Sequence, residues 1–429
     1  MKEQYSMQGL LNTVREVFLP IKEDIEKKKI LPSMPLVDCL MSGLALFNLK
    51  YPSLLKFDED RKNIAYNMKH LYQINSLPSD TYMRERLDNV LPQEIRKAFK
   101  KLFSKVQRGK QLEAYKFIDN YYLLSLDGTG YFSSNEIHCD NCCIKQHRNG
   151  EVTYYHQMLS GALVHPDIQE VLPFAPEPIM KTDGTNKNDC ERNAAKRFIN
   201  DFRQEHPHLK IIVIEDGLSS NAPHIEVLKA HEMKFILIAK EADHKHLFEE
   251  FNALSKNELT LTRDKITHKF KWINGLELND SNPDCKVNML EYWEVTEKKT
   301  RHFAWVTDIP LKRDNVFNIM KGGRARWKIE NETFNTLKNQ GYHFEHNFGH
   351  GKRYLSTVFA HLMLLAFLMD QIQQLCCDRF KKALKQLKRK SNLWEKMRSL
   401  FFNFLIDSWD HLMQALAEEH KVRLVFDTS

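Results

Sequence analysis

The chain alternates between stretches with apolar residues at helical spacing and stretches whose apolar residues run continuously or alternate, as in strands. Residues 1–118 follow the helical pattern, with helix-start signals at Ser79–Thr81 and at Pro92. Residues 119–240 are predicted to form a strand, a hairpin, a helix, a strand, a helix and a strand. An Asn-Gly pair at Asn149 marks the turn of that hairpin, because this pair favours tight primed turns.

These elements predict an α/β fold, a mixed sheet with helices on its faces, flanked by helical regions at both ends of the chain. Residues 1–118 are expected to form an N-terminal helical region and residues 351–429 a C-terminal one. Between them, residues 119–350 form the predicted sheet domain. It includes a polar, strand-rich insertion at about 241–310.

The most apolar stretch of the chain, residues 355–369, predicts a buried helix. The stretch is shorter than the roughly 20 residues of a membrane span, and His361 interrupts it. We therefore expect no membrane partner.

The distribution of charge and the cysteines indicate the kind of partner and the cellular compartment. Lys and Arg number 63 against 56 Asp and Glu, a mild excess that concentrates in two amphipathic stretches, 94–110 and 378–390. A cationic helix face suits a polyanion such as DNA, although it could equally be a solvated surface. The eight cysteines are unevenly spread in a chain without a recognisable secretory leader, so we expect a reducing intracellular compartment.

Two continuous apolar runs end in an acid followed by glycine: "LLSLDG" at Asp127 and "IIVIEDG" at Asp216. Continuous apolar runs are typical of central strands, and the carboxyl ends of such strands face the ligand-binding crevice of an α/β sheet. Two neighbouring carboxylates repel each other and require a cation, for which Mg²⁺ is well suited. The glycines would leave room for a bulky ligand. Alternatively, each acid caps the turn that follows its strand.

A third acid lies on a predicted helix at 322–338. Arg326 and Glu330 are four residues apart and therefore share one face of this helix, where they could also form an ordinary surface ion pair. Four apolar residues are expected to pack the helix against the protein: Trp327, Ile329, Phe334 and Leu337.

Two strand-end aspartates followed by a distant Arg-x3-Glu helix resemble the DDE transposases of insertion-sequence family four. The third motif of this family is Y-x2-R-x3-E-x6-K. Arg326 and Glu330 fit it, and Trp327 follows the arginine as is common there. Gly323 occupies the tyrosine position, and the lysine comes one residue late, at Lys338.

The resemblance spans about residues 120–350 and implies a ribonuclease-H-like catalytic domain. It implies an enzyme that cuts DNA at the ends of an insertion sequence and joins them to target DNA. Two Mg²⁺ ions, for which Mn²⁺ could substitute, would do this chemistry. Three residues would hold the ions and act as the catalytic acids: Asp127, Asp216 and Glu330. Glu332 is an alternative third acid.

The same resemblance implies how the protein meets DNA. Three residues are expected to contact DNA or its phosphates: Arg326, Lys338 and Trp327. Three tryptophans of the insertion could stack on a flipped base or belong to the core: Trp272, Trp293 and Trp305. The implied partners are double-stranded DNA and a second copy of the chain, and the implied location is the bacterial cytoplasm, at the nucleoid.

Two other functions remain open. The protein could be a decayed or domesticated relative that binds DNA without cutting it. It could also be a phosphohydrolase with Asp127 as nucleophile, but such enzymes require a second aspartate where this chain has Thr129.

Cysteines and histidines cluster near the predicted hairpin. Four of them could form a small zinc site: Cys139, Cys142, Cys143 and His147. Buried thiols on a strand are the alternative. Further on, His343, His346 and His350 could bind a metal or make loop contacts to phosphate or backbone.

Overall fold

The computed structural model describes residues 3–24, 33–184 and 187–418. Within them the protein is α/β, with helices flanking a mixed sheet of 11 strands. The predicted helical ends include residues 1–2, 25–32 and 419–429, which lie outside the described residues.

The helices are α1 (Met7–Phe18), α2 (Leu36–Asn48), α3 (Leu54–Leu71), α4 (Asp80–Leu87), α5 (Pro92–Arg108), α6 (Lys187–Glu205), α7 (Ala222–Ala230), α8 (Lys245–Ala253), α9 (Val316–Arg324), α10 (Asn335–Asn339), α11 (Leu355–Cys376), α12 (Asp378–Leu387), α13 (Lys390–Asn403) and α14 (Trp409–Ala417). A π-helix, Ile329–Phe334, precedes α10. The strands are β1 (Tyr122–Ser134), β2 (Cys143–Gln146), β3 (Val152–His165), β4 (Ile168–Pro173), β5 (Glu177–Ile179), β6 (Ile211–Glu215), β7 (Lys234–Ile238), β8 (Asn257–Arg263), β9 (Ile266–Glu277), β10 (Lys286–Val295) and β11 (Thr300–Thr307).

The strand order of the sheet is β2-β3-β1-β6-β7-β11-β10-β9-β8, and β4 and β5 also pair with β3. The centre is parallel, because β1 pairs with β6 and β6 with β7 in the same direction. β11 joins β7 antiparallel, and β8 to β11 continue as an antiparallel meander. The predicted mixed sheet is confirmed, and the strand-rich segment after residue 240 extends this sheet.

The chain divides into two compact units. Unit 1 comprises Met1–Gln111, Tyr131–Tyr155 and Asn335–Ser429. Unit 2 comprises Leu112–Gly130 and His156–Phe334. The core of unit 2 includes β6, whose five residues are all buried, as expected for a central parallel strand.

Helix α11 is the buried centre of unit 1, where it packs against α2, α5 and α12. It has 22 residues, so it is longer than the sequence pattern predicts, and by length and composition alone it could cross a membrane. However, 89% of its most apolar window is buried inside the protein, as in the core helix of a soluble protein. Asp370 of α11 is fully buried and lies 2.7 Å from Nζ of the equally buried Lys50.

The two basic stretches form α5 and α12 of unit 1, and both helices are amphipathic as predicted. Helix α5 buries Phe99 and Leu102, and Lys97, Lys100 and Lys101 face solvent, whereas the partly buried Lys105 donates to the Thr13 hydroxyl. Helix α12 buries Phe380 and Ala383 in the same way. Each helix therefore presents a cationic outer face.

Candidate functional site

Asp127 and Asp216 lie side by side in unit 2, where the parallel pairing of β1 with β6 ends. Asp216 directly follows β6, whereas β1 continues past Asp127 to Ser134, beyond the strand end that the sequence predicted. The register pairs Tyr122 with Ile211 and Ser125 with Ile214. Continued by two residues, the same register brings Asp127 opposite Asp216. Neighbouring strands are about 4.8 Å apart, so the two acids project from adjacent backbones at one edge of the sheet.

Asp127 is in an environment that disfavours its charge. Its side chain is 21% exposed. Burial, the largest cause, raises the pKa of Asp127 from 3.8 to about 7, although the guanidinium of Arg326 lowers it. Three nearby carboxylates also contribute to this increase: Glu330, Asp216 and Glu191. The position therefore favours a bound cation that would stabilise the ionised carboxylate.

Glu330 is joined to this acid pair through Arg326. Nη1 of Arg326 lies 2.7 Å from Oε1 of Glu330 and 3.4 Å from Oδ2 of Asp127. The backbone of the arginine is fixed as well, because the buried Ser125 hydroxyl on β1 donates to its carbonyl oxygen at 3.2 Å. The Arg326–Glu330 pair therefore differs from an ordinary surface ion pair, because Arg326 also contacts Asp127 and is fixed to β1.

The helix that carries Glu330 is irregular. Glu330 belongs to the π-helix, a form that often occurs at functional sites because its extra residue redirects side chains. Glu332, on the same π-helix, accepts instead from Nε2 of Gln169 at 3.4 Å. The geometry therefore favours Glu330 over Glu332 as the third acid.

A fourth carboxylate, Glu191 on α6, belongs to the same group. A Cβ atom added at Gly128 would lie only 2.9 Å from Cδ of Glu191, so the Glu191 carboxyl rests directly on the backbone beside Asp127. Sequence reasoning missed this residue because no motif marks it. The available signal was an acid near the start of the helix between the two acid-bearing strands.

The acids open into a cleft of about 650 Å³ in unit 2. Asp127, Asp216 and Glu191 line it together with the cations Arg192 and Lys240. The stem of Lys240 packs on Gly217, where an added Cβ would be 3.2 Å from its Cε. The cleft thus combines oxygen ligands for a metal with cations for an anionic substrate.

The turn-capping alternative is also met for Asp216, whereas β1 continues past Asp127 and no turn follows that acid. Oδ1 of Asp216 accepts from the backbone N–H of Leu218 at 2.9 Å, which orders the turn after β6. Behind it, Glu215 and His224 form a buried hydrogen bond of 2.6 Å. Capping fixes the orientation of the Asp216 carboxylate, and this is compatible with a role as a ligand.

The remaining residues of the third motif are placed as follows. Trp327 is 45% exposed, so the prediction that it packs the helix is wrong, whereas Ile329 and Leu337 are fully buried. Lys338 belongs to unit 1, where it lies 2.8 Å from Glu345. Trp327 thus has a partly exposed ring next to Arg326, with Nζ of Lys328 5.8 Å from the ring centroid.

Gly323 departs from the motif for a packing reason. An added Cβ there would lie 2.5 Å from Nε1 of Trp305, so α9 can approach β11 only with glycine at this position. Trp305 is 1% exposed and Trp272 is 5% exposed, so both are core residues and not free to stack on a base. Trp293 is stacked on His302, with ring centroids 4.7 Å apart.

The predicted zinc residues divide into two groups. Sγ of Cys139 and Sγ of Cys142 lie 3.8 Å apart, and His350 joins them. The group of potential metal ligands does not include Cys143 or His147. Nε2 of His147 instead lies 2.9 Å from the Thr153 hydroxyl.

The chemistry available in unit 2 is that of a carboxylate-rich, partly buried site with cations at its rim. Such a site can bind divalent cations through oxygen ligands and can position an anionic substrate beside them. No family model matches the chain, and no curated protein matches it, so the interpretation of this site rests on its geometry.

Proposed function

We propose that this chain is a DNA transposase of the DDE type, which cuts at the ends of an insertion sequence and joins them to target DNA. The observation that carries the proposal is that Asp127 lies beside Asp216 on the adjacent strand and is joined to Glu330 through Arg326. The mixed sheet is compatible with the ribonuclease-H-like fold that the resemblance implies. Its parallel β1–β6 pair supports the proposal because it aligns the two aspartates.

The charges of the site support Mg²⁺ as the cofactor. Arg326 lies beside the carboxylates of Asp127 and Glu330, and two further carboxylates, Asp216 and Glu191, lie near Asp127. These five groups would carry a net charge of about −3 if all were ionised, and clustered negative charge of this kind needs divalent cations. Asp127, Asp216 and Glu330 would hold the ions, with Glu191 close enough to assist. When bound, such ions activate an attacking oxygen and stabilise the leaving oxygen of a phosphodiester.

Arg326 would change partner during this function. Its guanidinium partly neutralises Asp127 and Glu330, from whose oxygens it lies 3.4 Å and 2.7 Å away. A cation held by those acids would replace that neutralisation and free the planar fork for a phosphate, which it matches with two parallel hydrogen bonds. Arg192 and Lys240 at the cleft would add phosphate contacts, and Trp327 would offer a stacking face.

Double-stranded DNA is the proposed partner. The cationic faces of α5 and α12 would gain affinity for it by releasing counterions, and that affinity would fall steeply with salt. The resemblance assigns Lys338 to the DNA as well, which would require exchanging Glu345 for a phosphate. A dimer would be needed to act on two element ends, in the bacterial cytoplasm.

The deciding experiment is Mg²⁺-dependent nicking of DNA that carries the sequences flanking the reading frame. Glu330→Gln should lower cleavage more than about 100-fold, since even the outer partners of metal ligands account for 10–100-fold. It should leave DNA binding intact. Glu332→Gln is the matched control, because this acid lies on the same π-helix but contacts Gln169. Cleavage lost in the control and kept in Glu330→Gln would reassign the third acid.

The same assays separate the other functions. DNA binding without nicking, in Mg²⁺ and in Mn²⁺, would indicate a protein that binds DNA but has lost cleavage. Hydrolysis of a small phosphate ester in the absence of DNA would instead support the phosphohydrolase.

A further inference from the structure

A second group of potential metal ligands is formed by residues far apart in the chain. Cys139 and Cys142 lie in the turn between β1 and β2, and His350 lies in the segment before α11. Sγ of Cys142 is 3.8 Å from Sγ of Cys139 and 3.5 Å from Nε2 of His350. The last contact joins positions separated by 208 residues.

These separations match tetrahedral zinc. With Zn–S of about 2.3 Å and Zn–N of about 2.0–2.1 Å, a tetrahedron separates two sulfurs by about 3.8 Å and a sulfur from a nitrogen by about 3.6 Å. The separations of Cys142 from Cys139 and from His350 are therefore already those that one shared ion would impose.

His156 supplies the fourth ligand. The β2–β3 register pairs Cys143 with Tyr155, so the next residue of β3 comes beside Cys142. His156 directly follows Tyr155 on β3. One ligand atom from each of the four residues lies within 4.8 Å of the other three.

We propose that Cys139, Cys142, His156 and His350 bind one structural Zn²⁺ ion. Two cysteines and two histidines are a set that zinc prefers, and two thiolates neutralise the ion, which allows its burial. Cys142, His156 and His350 are at most 8% exposed, so no position is open for a substrate.

The surroundings resemble those of a built zinc knuckle. The backbone N–H of Cys139 donates to Sγ of Cys142 at 3.4 Å, as outer partners of thiolate ligands do. Nδ2 of Asn141 donates to the carbonyl oxygen of Arg353 at 3.0 Å, which ties the cysteine turn to the histidine segment a second time. The ion would therefore lock the β1–β2 connection onto the start of α11.

The test is the zinc content of the purified full-length protein, measured by elemental mass spectrometry. We expect about one ion per chain, and a decrease of at least about tenfold in Cys142→Ser and in His350→Asn. Cys143→Ser and His147→Asn are the matched controls and should keep their zinc. The proposal is overturned if the wild-type protein takes up no zinc from added Zn²⁺ under reducing conditions, or if the controls lose as much as the ligand variants.

A second measurement covers the case in which a ligand variant fails to fold. In the wild-type protein, bound zinc should protect Cys139 from alkylation, and a chelator should expose it. Alkylation at the same rate with and without chelator would contradict the proposal. This inference does not depend on the function proposed for unit 2, so either can fail without the other.

Discussion

Replacing Asp127 with asparagine should stabilise the protein in the absence of Mg²⁺, although it removes a catalytic acid. Burial raises the pKa of this carboxyl from 3.8 to about 7, so the folded state binds its proton more tightly than the unfolded chain does. Stability from this group is therefore complete below pH 3.8 and decreases as the pH rises to about 7. Asparagine does not ionise and avoids this loss.

The size of the effect follows from the shift. One pKa unit corresponds to about 1.4 kcal/mol, so the ionised carboxylate costs up to about 4 kcal/mol above pH 7. Between pH 5 and pH 7 the cost of ionising Asp127 increases by about 1.4 kcal/mol for each pH unit, and above pH 7 it changes little. The difference in unfolding free energy between Asp127→Asn and the wild-type protein should therefore increase by up to about 3 kcal/mol from pH 5 to pH 8. For a unit of this size that corresponds to about 6–12 °C in Tm.

Thermal unfolding at pH 5 and pH 8, without added Mg²⁺, measures this difference. Chelators must be left out because they would strip the cysteine-histidine site. Asp167→Asn is the control, and it should lower the stability of the protein instead of raising it. Lys321 hydrogen-bonds the Asp167 carboxylate and lowers its pKa, so the ionised form stabilises the folded state. Added Mg²⁺ should then raise the Tm of the wild-type protein and not that of Asp127→Asn. An equal Tm difference at both pH values would refute the view that Asp127 is a crowded, partly buried carboxylate.

Two further substitutions test packing in the two units. Asp370→Ala should destabilise unit 1 by about 3–5 kcal/mol in urea unfolding, because it leaves the Lys50 ammonium buried and removes the acceptor of the Tyr342 hydroxyl. An unchanged urea midpoint would show that Lys50 finds water or another partner. Gly323→Ala should destabilise unit 2 by about 1–3 kcal/mol, because its Cβ would press on Trp305. A wild-type midpoint for Gly323→Ala would mean that α9 moves away from β11 at little cost.

The sequence was sufficient for those parts of the site that depend on local pattern. Continuous apolar runs identified β1 and β6 as central strands, and the residue after each run was the acid that reaches the cleft. The four-residue spacing also predicted that Arg326 and Glu330 share one face, and their side chains do form an ion pair, although Glu330 lies on a π-helix instead of the expected α-helix. Such features depend on neighbours within a few residues, which is the range over which propensity and periodicity carry information.

The zinc ligands could not be assigned in the same way. Cys143 and His147 are closer in sequence to Cys142 than His350 is, and spacing alone favours them. The structure places Cys142 in the turn before β2 and Cys143 on the strand, and only Cys142 joins the group of potential ligands. His350 reaches that site only through tertiary folding across 208 residues, which no local pattern encodes.

The two Asp-Gly pairs show how a correct residue can be given the wrong reason. Their glycines suggested space for a ligand, yet each is filled from within unit 2: the Glu191 carboxyl rests on Gly128, and the Lys240 stem rests on Gly217. A side chain at Gly128 would displace a fourth carboxylate from Asp127, and one at Gly217 would press on a cation of the cleft. Gly128 therefore lets a second carboxylate approach Asp127 closely, which raises the demand for a divalent cation, whereas Gly217 lets the stem of Lys240 pack beside Asp216.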